Sequence, residues 1–195
     1  MSGFTYHTVA AEASSDFRDR GSKFFGFVFP VNTAEEAKLR LQELKKLHPK
    51  AVHHCFAWRL GPSGELLRAN DDGEPSGSAG KPIEGQILSR GLTNVLVVVV
   101  RYFGGTLLGV PGLINAYKTA AAMALEQAGS VERKVEHRVV VQFEYTRMNQ
   151  IMQAVKQFDI RLGKQEMGLY CLYELWIPLE HKEQALKAVA EWLIS

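Results

Sequence analysis

The stretch NVLVVVVRYFGGTLLGVPGLINAYKTAAAMALEQAG, Asn94 to Gly129, decides how this chain folds. Val95 to Val100 is an unbroken apolar run of strand length. A strand with one face in water would alternate apolar and polar residues. One that does not alternate is covered on both faces and lies centrally in its sheet. Glycines at 104, 105 and 109 then mark a turn. Pro111 suits the first turn of a helix, and the alanine-rich segment beyond it reads as a long helix with Gly129 as its stop.

Upstream, FTYHTV reads as a strand and AEASSDFRDRG, residues 11–21, as a polar loop. KFFGFVFPV, Lys23 to Val31, is an apolar strand ended by Pro30. Thr33 with Glu36 three residues later forms a capping box. The helix it opens carries Ala37, Leu41, Leu44 and Leu47 or His48 on one face, and Pro49 ends it. AVHHCFAWRL alternates: Val52, His54, Phe56, Trp58 and Leu60 point one way, Ala51, His53, Cys55, Ala57 and Arg59 the other. GPSG is a turn, ELLRAND a return strand, and IEGQILSRG a short helix.

Downstream, RVVVQFEY reads as a strand and TRMNQIMQAVKQF as a helix with Thr146 as candidate cap. IRLGKQEMG is a weak strand and turn, LYCLYELWIPL a strong strand, and EHKEQALKAVAEWL a helix. Strand–helix–strand–strand–helix is most of a ferredoxin-like βαββαβ unit. The sequence stops at Ser195 where a closing strand would begin. The expected organisation is an N-terminal domain over 1–130, a polar linker over 131–136 and a C-terminal domain over 137–195 without its final strand.

Bulk properties narrow the class. The apolar share of 46% in 195 residues supports a real core. No apolar run approaches the roughly 18–20 residues of a membrane span, and the N-terminus lacks signal-peptide character. Two distant cysteines, Cys55 and Cys171, read as free thiols. A cytoplasmic protein is expected. The net charge is only +2, and neither half has a marked basic excess, so bulk electrostatics do not argue for nucleic-acid binding.

Two loops could carry chemistry. The first is DDGEPSGSAGKP, 71–82, with Asp71, Asp72, Gly73, Glu74, Pro75 and Lys81 as candidate ligand or partner residues. Its carboxylates could hold a divalent metal such as magnesium or calcium. They could equally brace the loop by accepting amide hydrogen bonds, with Asp72 capping the helix that starts after Pro82. The second is RYFGGTLLGVPG, 101–112, with Arg101, Tyr102, Gly104, Gly105 and Gly109 as candidates. Glycine amides before a helix can cradle an anion, or simply make a tight turn. His53 and Arg59, on one strand face, are a possible surface site. A Cys55–His53 nucleophilic pair is conceivable, but no third residue is visible to orient it. No zinc spacing accompanies His53, His54 and Cys55. No metal is assigned, and no cofactor.

The runs NDDGEPSGSAGKP and NVLVVVVRYFGGTLLGVPGLINAYKTAA together closely resemble the signature of the IMPACT family, and GSKFFGFVFPV and AVHHCFAWRL look like its earlier strands. The resemblance spans about residues 20 to 130, and the tail from His137 resembles the second domain of bacterial members. Ser78 stands where the family usually has threonine, and Pro111-Gly112 where it usually has a glycine pair. The resemblance implies an α+β chain of two domains. The first would be an α/β sandwich similar to the second domain of a small-subunit ribosomal protein. The second would be a ferredoxin-like domain similar to the last domain of elongation factor G. It also implies a non-enzymatic regulator of translation or stress response, with ribosome, RNA or a translation-associated protein as partner. Eukaryotic members carry a further N-terminal partner-binding domain that is not seen in this sequence. Lys156, Arg161 and Lys164 are candidates for a basic cluster under that reading. The alternative is an enzyme or binding domain for a phosphate-bearing small ligand, built from the two loops.

Overall fold

The computed structural model describes residues 3–194. In chain order the elements are β1 (Thr5–Val9), β2 (Ala13–Asp19), β3 (Ser22–Pro30), α1 (Ala34–Leu47), β4 (His53–Leu60), β5 (Leu66–Asn70), α2 (Gly80–Ser89), β6 (Val95–Tyr102), α3 (Gly109–Ala128), β7 (Ser130–Lys134), β8 (Glu136–Phe143), α4 (Met148–Gln157), β9 (Arg161–Met167), β10 (Cys171–Pro178) and α5 (Lys182–Val189). They form two compact units, one spanning 6–133 and the other the remaining described residues at either end.

The first unit is built on an antiparallel sheet in the order β2-β3-β6-β4-β5. β6 takes the middle place, as its apolar run requires. Its odd-numbered valines, Val95, Val97 and Val99, pack with Ile83 and Ile87 of α2 and with Ala116, Tyr117, Ala120 and Ala124 of α3. Its even-numbered residues, Leu96, Val98 and Val100, enter a second core with Ala37 and Leu44 of α1. The sheet is therefore sandwiched between two helix layers. Each fully buried valine or leucine contributes about 1.5–3 kcal/mol. The alanines of α3 serve close approach: a Cβ on Gly26 of β3 would lie 2.6 Å from the Ala120 carbonyl.

Several expectations change here. Residues read as a polar loop form β2, an edge strand. Ser15 turns inward and its hydroxyl donates to the Ala120 carbonyl at 2.9 Å, while Asp16 and Arg18 pair on the outside. A charged edge strand is protected from wrong pairing, and that polarity hid it. At α1 the Thr33 hydroxyl accepts from the Glu36 amide as expected. The Glu36 carboxylate, however, accepts from the Asn32 amide at 2.7 Å, one residue before the cap. His48, not Leu47, turns inward, bonding the Tyr102 hydroxyl. Residues 131–136 are not a free linker: they lie mostly in β7, which pairs with β1, and at the start of β8.

The second unit has an antiparallel sheet in the order β8-β10-β9. Val139, Val141 and Phe143 alternate inward with Tyr173, Leu175 and Ile177 to meet Ile151 and Ala154 of α4 and Ala185 and Val189 of α5. Among the described residues, the segment after α5 meets β8 through an isolated bridge. Leu193 pairs antiparallel with Val141, and the Ile194 amide donates to the Val140 carbonyl at 3.0 Å. That places the last segment beside β8, as the βαββαβ order demands. Thr146 does not cap α4; it lies in a short 3₁₀ turn, and α4 has no side-chain cap. Among the described residues no helix is long and apolar enough to cross a membrane.

Candidate functional site

At the end of β6 three strands present one row of side chains. Phe24 of β3 and His53 of β4 are both register partners of Arg101. Directly opposed residues share a sheet face, here the face covered by α2 and α3. The loop from β5 to α2 closes over this row, and α3 contributes Tyr117.

The three acids of that loop have three separate tasks. Asp71 caps α2. Its Oδ1 accepts from the amides of Ala79 at 3.0 Å and Gly80 at 2.8 Å, and its Oδ2 accepts from Gly77 at 2.9 Å. Burial opposes its ionisation, but the three amides outweigh burial and hold its carboxyl below the usual range. The cap is thus Asp71 and not Asp72, and α2 begins at Gly80, before Pro82. Asp72 turns to β4. Its Oδ2 accepts from the His54 amide at 2.7 Å, and its carbonyl lies 2.7 Å from His53 Nδ1. Asp72 adopts a left-handed φ of 42°, steadied by Asn70 Oδ1, which accepts its amide. Gly73 follows at φ 90°, a conformation that favours glycine.

Glu74 goes inward. Its Oε1 accepts from Arg101 Nη1 at 2.6 Å and from the Tyr117 hydroxyl at 2.7 Å. His53 Nε2 lies 3.8 Å from the same oxygen. The Arg101 and Glu74 side chains are 7% and 3% exposed, so this is a buried ion pair, and its charges need each other. The guanidinium also lies over the rings of Phe24 and Phe103 at 5.6 and 5.7 Å. Its Nε is buried without a partner. Burial pushes the Tyr117 hydroxyl pKa upward, so it stays a donor.

The Cys55 thiol points to the Asp71 carbonyl at 3.0 Å, and burial pushes its pKa far up. It is a protonated structural thiol, and the notion of a Cys55–His53 nucleophilic pair is set aside. Burial likewise lowers the pKa of His54. The carboxylates that a divalent-ion reading would gather are engaged separately, by amides, by β4 and by Arg101. Among the described residues no three His, Cys, Asp or Glu side chains are placed to hold a metal.

The remaining candidates disperse. The Pro75 carbonyl accepts from the amide and hydroxyl of Ser78. Lys81, exposed on α2, pairs with the largely buried Glu84 at 2.8 Å. Tyr102 faces the opposite side of the sheet, against Phe25 and His48. Arg59 is occupied by the carbonyls of Ser63, Gly64 and Leu92, six residues along β4 from His53, and staples the hairpin turn. The Gly104 amide donates to Ser22 Oγ at 3.1 Å, and a Cβ there would lie 1.9 Å from the Gly21 carbonyl carbon. Gly105 and Gly109 have φ of 87° and 72°, as turns require. Arg161 pairs with Glu136 and Lys164 with Glu166, so with Lys156 they do not make an unneutralised basic cluster. Tyr117 was missed in the sequence. Its signal was a single polar-tipped side chain on the buried alanine face of α3.

The loop after β6 behaves differently from the acidic loop. Phe103 and Leu107, with Val110 and Ile114 at the start of α3, are all exposed.

The Impact N-terminal domain model matches residues 20–125. The IMPACT family member YvyE of Bacillus subtilis (strain 168) is 32% identical over 189 residues, covering 97% of this chain and 85% of its own. A crystal structure described as a hypothetical protein superposes with a TM-score of 0.74 at 29% identity, covering 96% of this chain and 92% of that one. The structure of Yih1, described as a two-domain translational regulator, is 30% identical, covers 66% of this chain and 48% of that one, and has a TM-score of 0.37.

Proposed function

The chain belongs to the IMPACT family, and from that premise we propose that it is a non-enzymatic regulatory protein that binds a translation-associated protein partner, with the ribosome as its setting. One observation carries the reading: Phe103, Leu107, Val110 and Ile114 stand exposed on one loop and the start of one helix, beside an acidic loop whose side chains are turned inward. Exposed apolar side chains grouped in this way fit a protein contact. The acidic and glycine loops then act as the rigid frame that presents this surface. Family membership is the motive for a partner in translation, since the relative Yih1 is described as a translational regulator. A direct RNA contact is less favoured, because two of the three basic candidates of the second unit, Arg161 and Lys164, are paired with acids.

Cosedimentation with ribosomes at low and moderate salt tests the proposal. Wild type is expected to pellet with ribosomes at both, because an apolar contact resists screening. A Leu107→Asp/Val110→Asp variant that folds normally should stay in the supernatant. If wild type never cosediments, or the variant does so equally well, the reading is lost.

A further inference from the structure

We infer that the depression where α2, α3 and the start of β7 meet is a binding site for a small zwitterion, a free α-amino acid with an aliphatic side chain. The inference is independent of the partner surface proposed above. The depression has a volume of about 340 Å³ and is lined by Arg90, Leu92, Leu125, Glu126, Gly129 and Ser130. That is near the lower end of the volumes that hold small ligands. All six residues belong to the unit spanning 6–133. Leu92 and Leu125, each only 2% exposed, form an apolar floor. Arg90 and Glu126, both exposed, stand on its walls.

Two opposite charges line one depression and yet do not pair. Arg90 is held by other groups. Its Nη1 donates to the Gln86 carbonyl at 3.2 Å and to Gln86 Oε1 at 2.8 Å, and its Nη2 reaches the Ala122 carbonyl of α3 at 3.5 Å. These bonds fix the guanidinium at the rim. They leave Nε and one hydrogen of Nη2 unused, on the edge of the fork that grips a carboxylate. The Glu126 carboxylate has no hydrogen-bond or ion-pair partner among the described residues. It stands in the last turn of α3, a 20-residue helix with no basic residue in that turn. The negative end of the helix dipole favours a cation there. A lone anion would be repelled by Glu126 and a lone cation by Arg90. A purely apolar molecule would cover both charges without pairing them. A molecule with a carboxylate and an ammonium close together satisfies both walls at once, with its side chain over Leu92 and Leu125. The exposed Ser130 hydroxyl can accept from the ammonium or donate to the carboxylate.

Methyl NMR signals of Leu92 and Leu125, followed during titration, provide the test. The probes are free leucine, isovalerate, which keeps the carboxylate alone, isoamylamine, which keeps the ammonium alone, and the dipeptide alanylalanine. Leucine should shift both signals saturably. Each singly charged analogue should bind about tenfold more weakly, as expected for one lost charged hydrogen bond. Arg90→Gln and Glu126→Gln change exposed side chains, so both variants should fold, which their unfolding midpoints check. Each should weaken leucine binding by a similar factor. The two walls are separable: Arg90→Gln should not weaken isoamylamine binding, and Glu126→Gln should not weaken isovalerate binding. Leucine binding more tightly than alanylalanine would assign the site to free amino acids, and the reverse order to the ends of a short peptide; both support a zwitterion site. No saturable shift with leucine or the dipeptide, leucine binding no tighter than its singly charged analogues, or leucine binding unchanged in both variants would overturn it.

Discussion

The two loops at the end of the central sheet use their residues in opposite directions. Between β5 and α2, the chain turns its acids inward: Asp71 to three amides, Asp72 to β4 and Glu74 to Arg101. Between β6 and α3, it keeps its backbone tight through Gly104 and turns apolar side chains outward. By composition the acidic loop looks like the reactive one, yet its polarity holds the frame in place. The exposed loop, which looks like a mere turn, carries the surface a partner could meet. Carboxylates in a loop are evidence of chemistry only when their lone pairs are left unclaimed.

The largest test of this contrast is Glu74→Ala. It leaves the Arg101 guanidinium buried without its counter-charge, and breaking a buried pair from one side costs about 3–5 kcal/mol. Urea denaturation should show the midpoint falling accordingly. A Glu74→Gln/Arg101→Met double variant should recover much of the loss, because both charges leave together. If Glu74→Ala were as stable as wild type, the acidic loop would not be a brace.

Next in size is the glycine loop's own framework. Gly104→Ala would drive a Cβ to 1.9 Å from the backbone of Gly21, and overpacking of this kind costs about 1–3 kcal/mol. Gly105→Ala meets nothing within 4 Å and suffers only from its φ of +87°, about 1 kcal/mol. Thermal unfolding of the two variants side by side should rank them in that order.

Asp71→Ala removes a helix cap, for which about 1–2 kcal/mol is expected. Its pH dependence has a definite sign. The folded pKa is depressed, so the carboxylate contributes stability fully above the ordinary carboxylate value of about 4. That contribution drains away as pH falls through the depressed folded value. Wild type and Asp71→Asn should therefore converge in stability below about pH 4 and differ above it. A difference that grows on acidification would contradict the cap.

How much of this could be read from the sequence follows from the same physics. The unbroken run from Val95 to Val100 announced a central strand because only double burial makes such a run tolerable. The β4 alternation placed His53, Cys55 and Ala57 on one face because a strand has period two. The strand β2 was illegible because its inward positions are Ala13, Ser15 and Phe17, and the middle one is satisfied by a helix carbonyl of α3. The acidic loop and Arg101 were both visible, but their pairing was not. The register that brings Arg101 beside His53 and Phe24 is a property of the sheet. Tyr117 joined them only because α3 crosses that face.

The smallest expected effect on stability is also the one that separates frame from surface most cleanly. Leu107 is 81% exposed, so Leu107→Ser removes almost no buried area. A change of this kind away from caps, cores and strained backbone usually stays within about 0.5 kcal/mol. Its unfolding curve should overlay that of wild type. If the exposed loop is the partner surface, the same substitution should still reduce ribosome cosedimentation, because a side chain that is idle in the free protein can become the centre of a contact once it is covered. Glu74→Gln should do the reverse, lowering stability while, in the fraction that remains folded, leaving the exposed side chains in place to bind. A Leu107→Ser variant that binds as well as wild type, beside a folded Glu74→Gln protein that does not, would exchange the roles of the two loops.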